Sequence, residues 1–506
     1  GVDLESTGML MLELPHWTVI VAVLVTLFVV FTWPMHIPGK IPGPCRNIPY
    51  FGALFEVLKY YEVLPEYVHN HNLEYGCCTW AVPMPKIGLL SGAVYFINTP
   101  ECLEHVLGKN FENYVKGAGV RAGLNEFLGD GIFSTDGKPW VTHRKIASHM
   151  FSRNLMREST KVAQDHAERM IGWIQDRIKA GIETPVDMQD VFFRLTMDIF
   201  TFVAFGVDIK SVVSDEPPAF ATAFDTVQEH SEKRFFNPLW RICQMLQLTD
   251  GERKLRQGVN LMNSFASEVI QGRRRQVSKD EPLGPDLLSR FLVSAKEKNE
   301  TLSDKELRDI VMNFMIAGRD TTACGLSWTL YELRDKPEVQ AKIRQEFQDM
   351  CAKGVTYDSV GNMRYTHAVA MEVLRLHPSV PKDLKFAVNK DTLPDGTTIP
   401  AGAAIIYTPY AMGRNPDIWE DPLTFKPERF IGKSEPSPFV YPVFNAGKRL
   451  CLGKSLALME MKLITALLLN HFEFSTEPHD GGYKSTLVLP MRPGLKVTFT
   501  PRTSQR

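Results

Sequence analysis

Hydrophobic positions are unevenly spread along the chain. Their densest run is Trp17 to Trp33, WTVIVAVLVTLFVVFTW, which holds 17 residues and no charge. A membrane-spanning helix needs roughly 17–25 apolar residues. Trp17 and Trp33 bracket the run as interfacial aromatics do. The pattern predicts a transmembrane anchor helix over 17–33, preceded by an N-terminal segment over 1–16. A cleaved signal peptide is the competing reading, but its apolar core is typically about 7–15 residues and ends at a small-residue cleavage site. Here TWPMHIPGK follows instead. Asp3, Glu5 and Glu13 precede the run while Lys40 and Arg46 follow it, which puts the rest of the chain on the cytosolic side. Pro34, Pro38, Pro42 and Pro44 cannot continue a helix, so residues 34–49 read as a stiff Pro/Gly-rich linker.

Beyond residue 50 the apolar positions recur at two periods. Strand-like stretches fall at Cys77–Val82, Lys86–Leu90 and Val94–Ile97, then at Phe386–Val388, Ala404–Tyr407 and from Thr486 to Thr500. Helical periodicity dominates after residue 140. The best helix runs from Ser303 to about Asp335, opened by the capping box Ser303-Asp-Lys-Glu306. About 30 residues at 1.5 Å each would cross a whole domain. No repeat, low-complexity tract or clear linker divides residues 50–506. The expected fold is mainly α with small β-sheets at one edge, a single large catalytic domain behind one N-terminal helix.

Composition narrows the function classes. Lys+Arg number 57 and Asp+Glu 58, a net charge of −1, so there is no basic excess for nucleic acid. Hydrophobic residues at 44% and charged residues at 23% are ordinary globular values, which argues against wholesale disorder. A mean hydropathy of −0.13 excludes a polytopic membrane protein but leaves room for one anchor. The eight cysteines contain no C-x-x-C and are too sparse for a disulfide framework in a chain this long. A reducing compartment follows for the main domain.

One cysteine stands in a distinctive context. Phe444-Asn-Ala-Gly447-Lys-Arg449-Leu-Cys451-Leu-Gly453 precedes SLALMEMKLITALLL, which has a helical pattern. Cys451 therefore sits in a Gly-bearing loop just before a helix, where backbone N–H groups and the helix dipole favour a thiolate. A lone Cys is more often inert and buried. Zinc is a weak alternative, because no second Cys or His lies at usual ligand spacing.

Phe444, Gly447, Arg449, Cys451 and Gly453 fill F-x-x-G-x-R-x-C-x-G, which resembles the haem-binding signature of the cytochrome P-450 superfamily. Four further stretches resemble that family's motifs in the expected order. The likeness extends from the anchor to the last strands. It implies the cytochrome P-450 fold, with Cys451 as axial thiolate to haem iron and Arg449 meeting a haem propionate. Ala317-Gly318-Arg319-Asp320-Thr321-Thr322 resembles the oxygen-activation motif. There Thr321 would hold dioxygen through a hydrogen bond and Asp320 would feed protons from solvent. A Thr hydroxyl bonding back one turn can open a helix locally. Glu372-Val-Leu-Arg375 and Pro427-Glu428-Arg429-Phe430 imply a buried triad of Glu372, Arg375 and Arg429 that supports the Cys loop. Trp140-Val-Thr-His-Arg144 implies that Trp140 and Arg144 contact a propionate. Lys385 falls where relatives carry Arg for the same purpose. Where animal relatives often have a Glu esterified to haem, this chain has Ala317, which implies haem b (iron protoporphyrin IX) held non-covalently.

Further residues resemble the microsomal fatty-acid and alkane hydroxylases of plants and fungi. They include Lys233-Arg-Phe-Phe-Asn-Pro238-Leu-Trp240, Leu393-Pro-Asp-Gly396 and Tyr410-Ala-Met-Gly413-Arg414. The implied activity is monooxygenation of a lipophilic substrate, a long-chain fatty acid or related lipid. A sterol or isoprenoid oxidase remains open on composition, as does a haem-thiolate lipid-peroxide isomerase or dehydratase, although such enzymes commonly lack the Asp–Thr pair. Pocket walls are expected at Tyr114–Leu128, Phe220–Leu248, Phe314 and Ala317, Val380–Leu384, and Thr486–Leu489 with Leu487. No G-x-G-x-x-G follows a strand, so electrons must come from a partner. That partner is expected to be an NADPH-dependent flavoprotein reductase on the endoplasmic reticulum membrane, with a b-type cytochrome as an optional second donor. Lys145, Lys448 and Lys454 could form part of its docking face.

Overall fold

The computed structural model describes residues 41–44 and 51–502, apart from 86, 215, 280, 282, 285, 298 and 300. The segment 1–16, the anchor expected over 17–33 and most of the linker lie outside the described residues. Among the described residues no helix is long and apolar enough to cross a membrane. The linker end that is described docks on the body: Ala81 N donates to Pro42 O at 3.0 Å.

The first sheet contains β1 (Trp80–Met84), β2 (Gly92–Ile97), β3 (Tyr114–Val115), β5 (Asp383–Ala387) and β8 (Ala404–Tyr407) in the order β1-β2-β8-β5-β3. β2 and β8 pair in parallel from Val94↔Ala404 to Ile97↔Tyr407, and the other pairs are antiparallel. Both faces are covered, so β8 is buried at every position rather than alternating. Trp80, Val82, Val94, Phe96 and Ile406 enter one apolar cluster, and Ala81, Tyr95, Ile97, Ile405 and Tyr407 another. Smaller sheets join β4 (Val186–Asp187), β10 (Lys496–Pro501) and β9 (Phe472–Thr476), and β6 (Asp391–Thr392) with β7 (Thr398–Ile399).

The expected strand over Cys77–Val82 starts late, because Gly76 and Cys77 form a turn at positive φ. Residues 87–90 are bends, not a strand. The last expected strand shortens to β10, since Pro490 and Pro493 interrupt the earlier part.

The central helix, Asp304–Leu333, starts where the capping box predicts. Ser303 Oγ accepts from Glu306 N, and Glu306 Oε2 accepts from Ser303 N at 2.8 Å. It packs against helices Met188–Phe205, Arg364–Leu376 and Lys454–His471. Its first half, through Ile316, belongs to one apolar cluster, and its second half, from Ala323, to another. Residues 317–322 belong to neither. The motif therefore occupies a break in the core of an otherwise continuous helix.

Candidate active site

A cavity of about 360 Å³ opens at that break. Leu124, Leu128, Phe200, Phe314, Val380 and Leu487 give it mostly apolar walls. Cys451, Trp140, Arg144, Arg449, Thr321 and Thr322 lie on the same wall system. Cys451 is open to this space while protein surrounds it elsewhere.

The Cys loop is shaped by its backbone. Cys451 N donates to Phe444 O at 2.8 Å, and Asn445 and Gly447 adopt positive φ. A Cβ at Gly447 would meet Leu107 O at 1.9 Å, so glycine is required there by packing as well as by φ. Arg144 Nη2 donates to Leu450 O at 2.6 Å and ties helix Gly137–Ser148 to the loop. Burial pushes the Cys451 thiol up, while the N–H groups of Gly453 and Lys454 and the charge of Arg144 oppose it. The helix-start donors anticipated from sequence are present, but burial outweighs them. A coordinated metal ion would reverse that balance, because a ligating thiol is deprotonated outright.

Beneath the loop, Glu372 accepts from Arg375 Nε at 2.7 Å and Nη2 at 2.8 Å, and from Arg429 Nε at 2.9 Å. Arg375 Nη1 also reaches Gly413 O and Pro422 O. Glu372 and Arg375 are fully buried. Tyr441 OH donates to Met371 O at 2.8 Å, which joins this cluster to the chain leading into Cys451.

Cations gather at one rim. Arg449 pairs with Asp136 at 2.7 Å, stacks over Trp140 with its guanidinium 4.6 Å from the ring centroid, and keeps a buried Nε without a partner. Lys385 departs from expectation. It is fully buried, bonds Asp383 Oδ2 at 2.8 Å and does not line the cavity. Lys116 and Asp383, which fall within the expected walls Tyr114–Leu128 and Val380–Leu384, line it and form an ion pair that the sequence did not foretell. Burial alone would raise Asp383, but Lys116 and Lys385 overrule it and hold the carboxyl well below its usual range.

Thr321 Oγ1 donates to Ala317 O at 2.8 Å, yet the helix stays continuous. Gly318 answers a packing demand, since a Cβ there would lie 1.8 Å from the Phe200 ring. Asp320 is fully buried behind the wall. It accepts from Arg319 at 2.8 Å, and its Oδ2 has no partner. Burial raises its pKa to about 7 against the pull of Arg319. Arg319 also pairs at 2.6 Å with Asp225, whose side chain is 58% exposed. The chain Asp225–Arg319–Asp320 thus runs from solvent towards the wall.

Phe314, Ala317, Val380, Leu487, Phe444 and Gly453 all line the cavity. Leu384 and Gly447 do not, and no residue of Phe220–Leu248 does. That last region reaches the site indirectly, through Glu232 bonded to the lining residue Lys382 at 2.6 Å, through Asp225 paired with Arg319, and through Phe220 and Phe224, which pack in one cluster with the lining residues Leu124 and Phe314. Of the lysines expected on the docking face, Lys145 is exposed, whereas Lys448 pairs with Glu112 and Lys454 with Glu435.

The family model described as Cytochrome P450 matches residues 42–495. Cytochrome P450 704C1 of Pinus taeda is 37% identical over 440 residues, covering 80% of this chain and 84% of that protein. Cytochrome P450 704B1 of Arabidopsis thaliana is 34% identical over 514 residues, covering 91% of this chain and 95% of its own length. Cytochrome P450 monooxygenase cyp1 of Mycosarcoma maydis is 32% identical, covering 91% of this chain and 76% of its own length.

Proposed function

Because the chain belongs to the cytochrome P450 family, as a monooxygenase, we propose that it hydroxylates the hydrocarbon chain of a long-chain fatty acid or a related lipid. The observation that carries this reading is the placing of Cys451 and Thr321 on one cavity whose other walls are mostly apolar.

The residues present fit haem. A single sulfur donor opens on the cavity, and Arg144, Arg449 and Lys116 stand on it as partners for carboxylates. Arg449 Nε is moreover buried with no acceptor of its own. Cys451 would hold the iron, and Trp140, Arg144, Arg449 and Lys116 would hold the propionates. Ala317 offers no carboxyl for an ester, which supports haem b bound non-covalently. When bound, haem with reductase-supplied electrons activates dioxygen and inserts one oxygen atom into a C–H bond.

The chain's own residues supply the rest. Phe314, Val380, Leu124 and Leu487 exclude water and grip the substrate, at about 0.8 kcal/mol per buried methylene. Thr321 presents a hydroxyl to the cavity, and Asp320 holds a proton near neutral pH. Arg319 links Asp320 to the exposed Asp225. The fatty-acid assignment is supported by the motif resemblance and by the apolar walls. The apolar run over 17–33 supports anchoring in the endoplasmic reticulum membrane with the body facing the cytosol, beside an NADPH-dependent flavoprotein reductase.

The test is turnover with reductase, NADPH and dioxygen on fatty acids, alkanes and sterols, with products read by mass spectrometry. Hydroxylated fatty acids are expected. Oxidation of sterols alone would contradict the proposal.

A further inference from the structure

Among the described residues, four cations line the cavity, and they are Lys116, Arg144, Arg449 and Lys382. The first three are accounted for as partners of haem propionates. Lys382 stands apart and has no part in the chemistry described so far. Its Nζ donates to Glu232 Oε1 on helix Ala219–Phe236 at 2.6 Å and to Thr486 O at 3.4 Å. Neither acid on the cavity wall answers it. Asp383 pairs with Lys116, and Glu460, on helix Lys454–His471, bonds Thr322.

Two elements set the place of Lys382. Ser379, three residues earlier, donates from Oγ to Thr321 O at 2.6 Å, so the stretch leading to Lys382 starts beside the 317–322 motif. Helix Ala219–Phe236 meets the central helix at Asp225, which pairs with Arg319. Glu232 lies seven residues beyond Asp225, about 10 Å along that helix at 1.5 Å per residue. Glu232 therefore draws the Lys382 side chain away from the motif, while Val380 and Leu487 keep the neighbouring wall apolar.

An ammonium carries three N–H donors. Glu232 and Thr486 O take two, which leaves one for an occupant of the cavity. Glu232 is 2% exposed, does not line the cavity, and has a buried Oε2 without a partner. It stands behind the ammonium as a fixed counter-charge, so an occupant meets the cation rather than the acid. A single cation on a mostly apolar wall suits a molecule with one anionic end and a hydrocarbon body. With both partners ionised, a carboxylate gains more from the ammonium than a hydroxyl can.

We propose that Lys382, held by Glu232, is the head-group residue of the cavity. Its ammonium takes the carboxylate of a long-chain acid, while the hydrocarbon runs along Leu124, Phe314, Val380 and Leu487 towards Cys451. The proposal rests on the fatty-acid reading and adds the residue that recognises the acid. Lys382 makes and breaks no covalent bond. It sets which lipid is held, and by which end.

The test uses the haem-loaded full chain and pairs of saturated acids and primary alcohols of equal chain length, titrated by the shift of the haem spectrum. The wild type should bind the acid more tightly than the alcohol. In K382M the dissociation constant for the acid should rise about tenfold, the worth of one hydrogen bond to a charged group, while that for the alcohol stays within about twofold. K382R should keep the preference for the acid. K382M leaves Glu232 buried without its partner, which costs stability. K382M/E232Q removes both charges and should show the same selective loss. Equal losses for acid and alcohol, or an acid preference that survives in K382M/E232Q, would overturn the proposal and leave Lys382 a wall residue, with hydroxylation of fatty acids by the wild type still standing. A wild type that takes neither acid nor alcohol and oxidises only sterols would overturn the fatty-acid reading, and the proposal with it.

Discussion

Burial turns Asp320 and Glu460 from ordinary carboxyls into groups that titrate near neutrality. Each keeps a proton in the native state that the unfolded chain would release. The stability they confer is complete below the unfolded carboxylate range. It is lost as pH rises to about 7 for Asp320 and about 8 for Glu460. The slope is at most about 1.4 kcal/mol per pH unit for each group. Denaturant unfolding should therefore show E460Q gaining on the wild type between pH 5 and 8, and a constant gap would contradict this. Thr321→Ala should keep haem and divert NADPH into peroxide, whereas fully coupled turnover would count against a role for its hydroxyl. Cys451, Arg449 and Thr321 could be picked out in sequence because they stand in short motifs that resemble the family's, and they do line one cavity. The pairing of Lys116 with Asp383 and the burial of Glu460 could not, because they arise from neighbours distant in the chain. Glu460 did leave one trace, an acid inside the apolar run SLALMEMKLITALLL. Lys385 was misplaced because the partner that holds it away from the wall, Asp383, is recognisable only once β5 is folded.

At the scale of elements, two close approaches position the site. Helix Met188–Phe205 lies so near the central helix that Gly318 leaves room only for the Phe200 ring. Gly318→Ala should destabilise the fold by about 1–3 kcal/mol, the usual cost of overpacking, and F200A should restore part of it. No rescue in the double variant would place the clash elsewhere. The second is the Glu372 cluster, which bolts helix Arg364–Leu376 to the chain around Arg429. Glu372→Gln leaves two arginines under-compensated in the interior, at a cost of about 3–5 kcal/mol, with earlier melting and faster haem loss. A melting profile like the wild type would contradict that account. The capping box and the i, i+3 pair made both helices readable in advance. The strand ends were less so, because Pro490, Pro493 and the turn at Gly76 and Cys77 override alternation. β9 escaped although Phe472 and Phe474 alternate.

For the whole molecule, the decisive feature is that two of its apolar clusters meet at residues 317–322 of one helix. Pattern alone anticipated a long helix crossing a mainly helical body, but not that its polar motif would mark the seam. The cavity forms there because polar and small residues interrupt apolar packing. The anchor proposed over 17–33 is separable from this arrangement. Deleting residues 1–40 should release the protein from microsomal membranes with its spectrum intact, and continued sedimentation with membranes would point to another attachment. The central claim is that Cys451 is the sulfur ligand of a haem. The most direct measurement is the reduced carbon-monoxide difference spectrum of the wild type against Cys451→Ser at equal haem content. The wild type should show the Soret band near the wavelength that names the family, and the variant should lose it. The same band in both would contradict that claim.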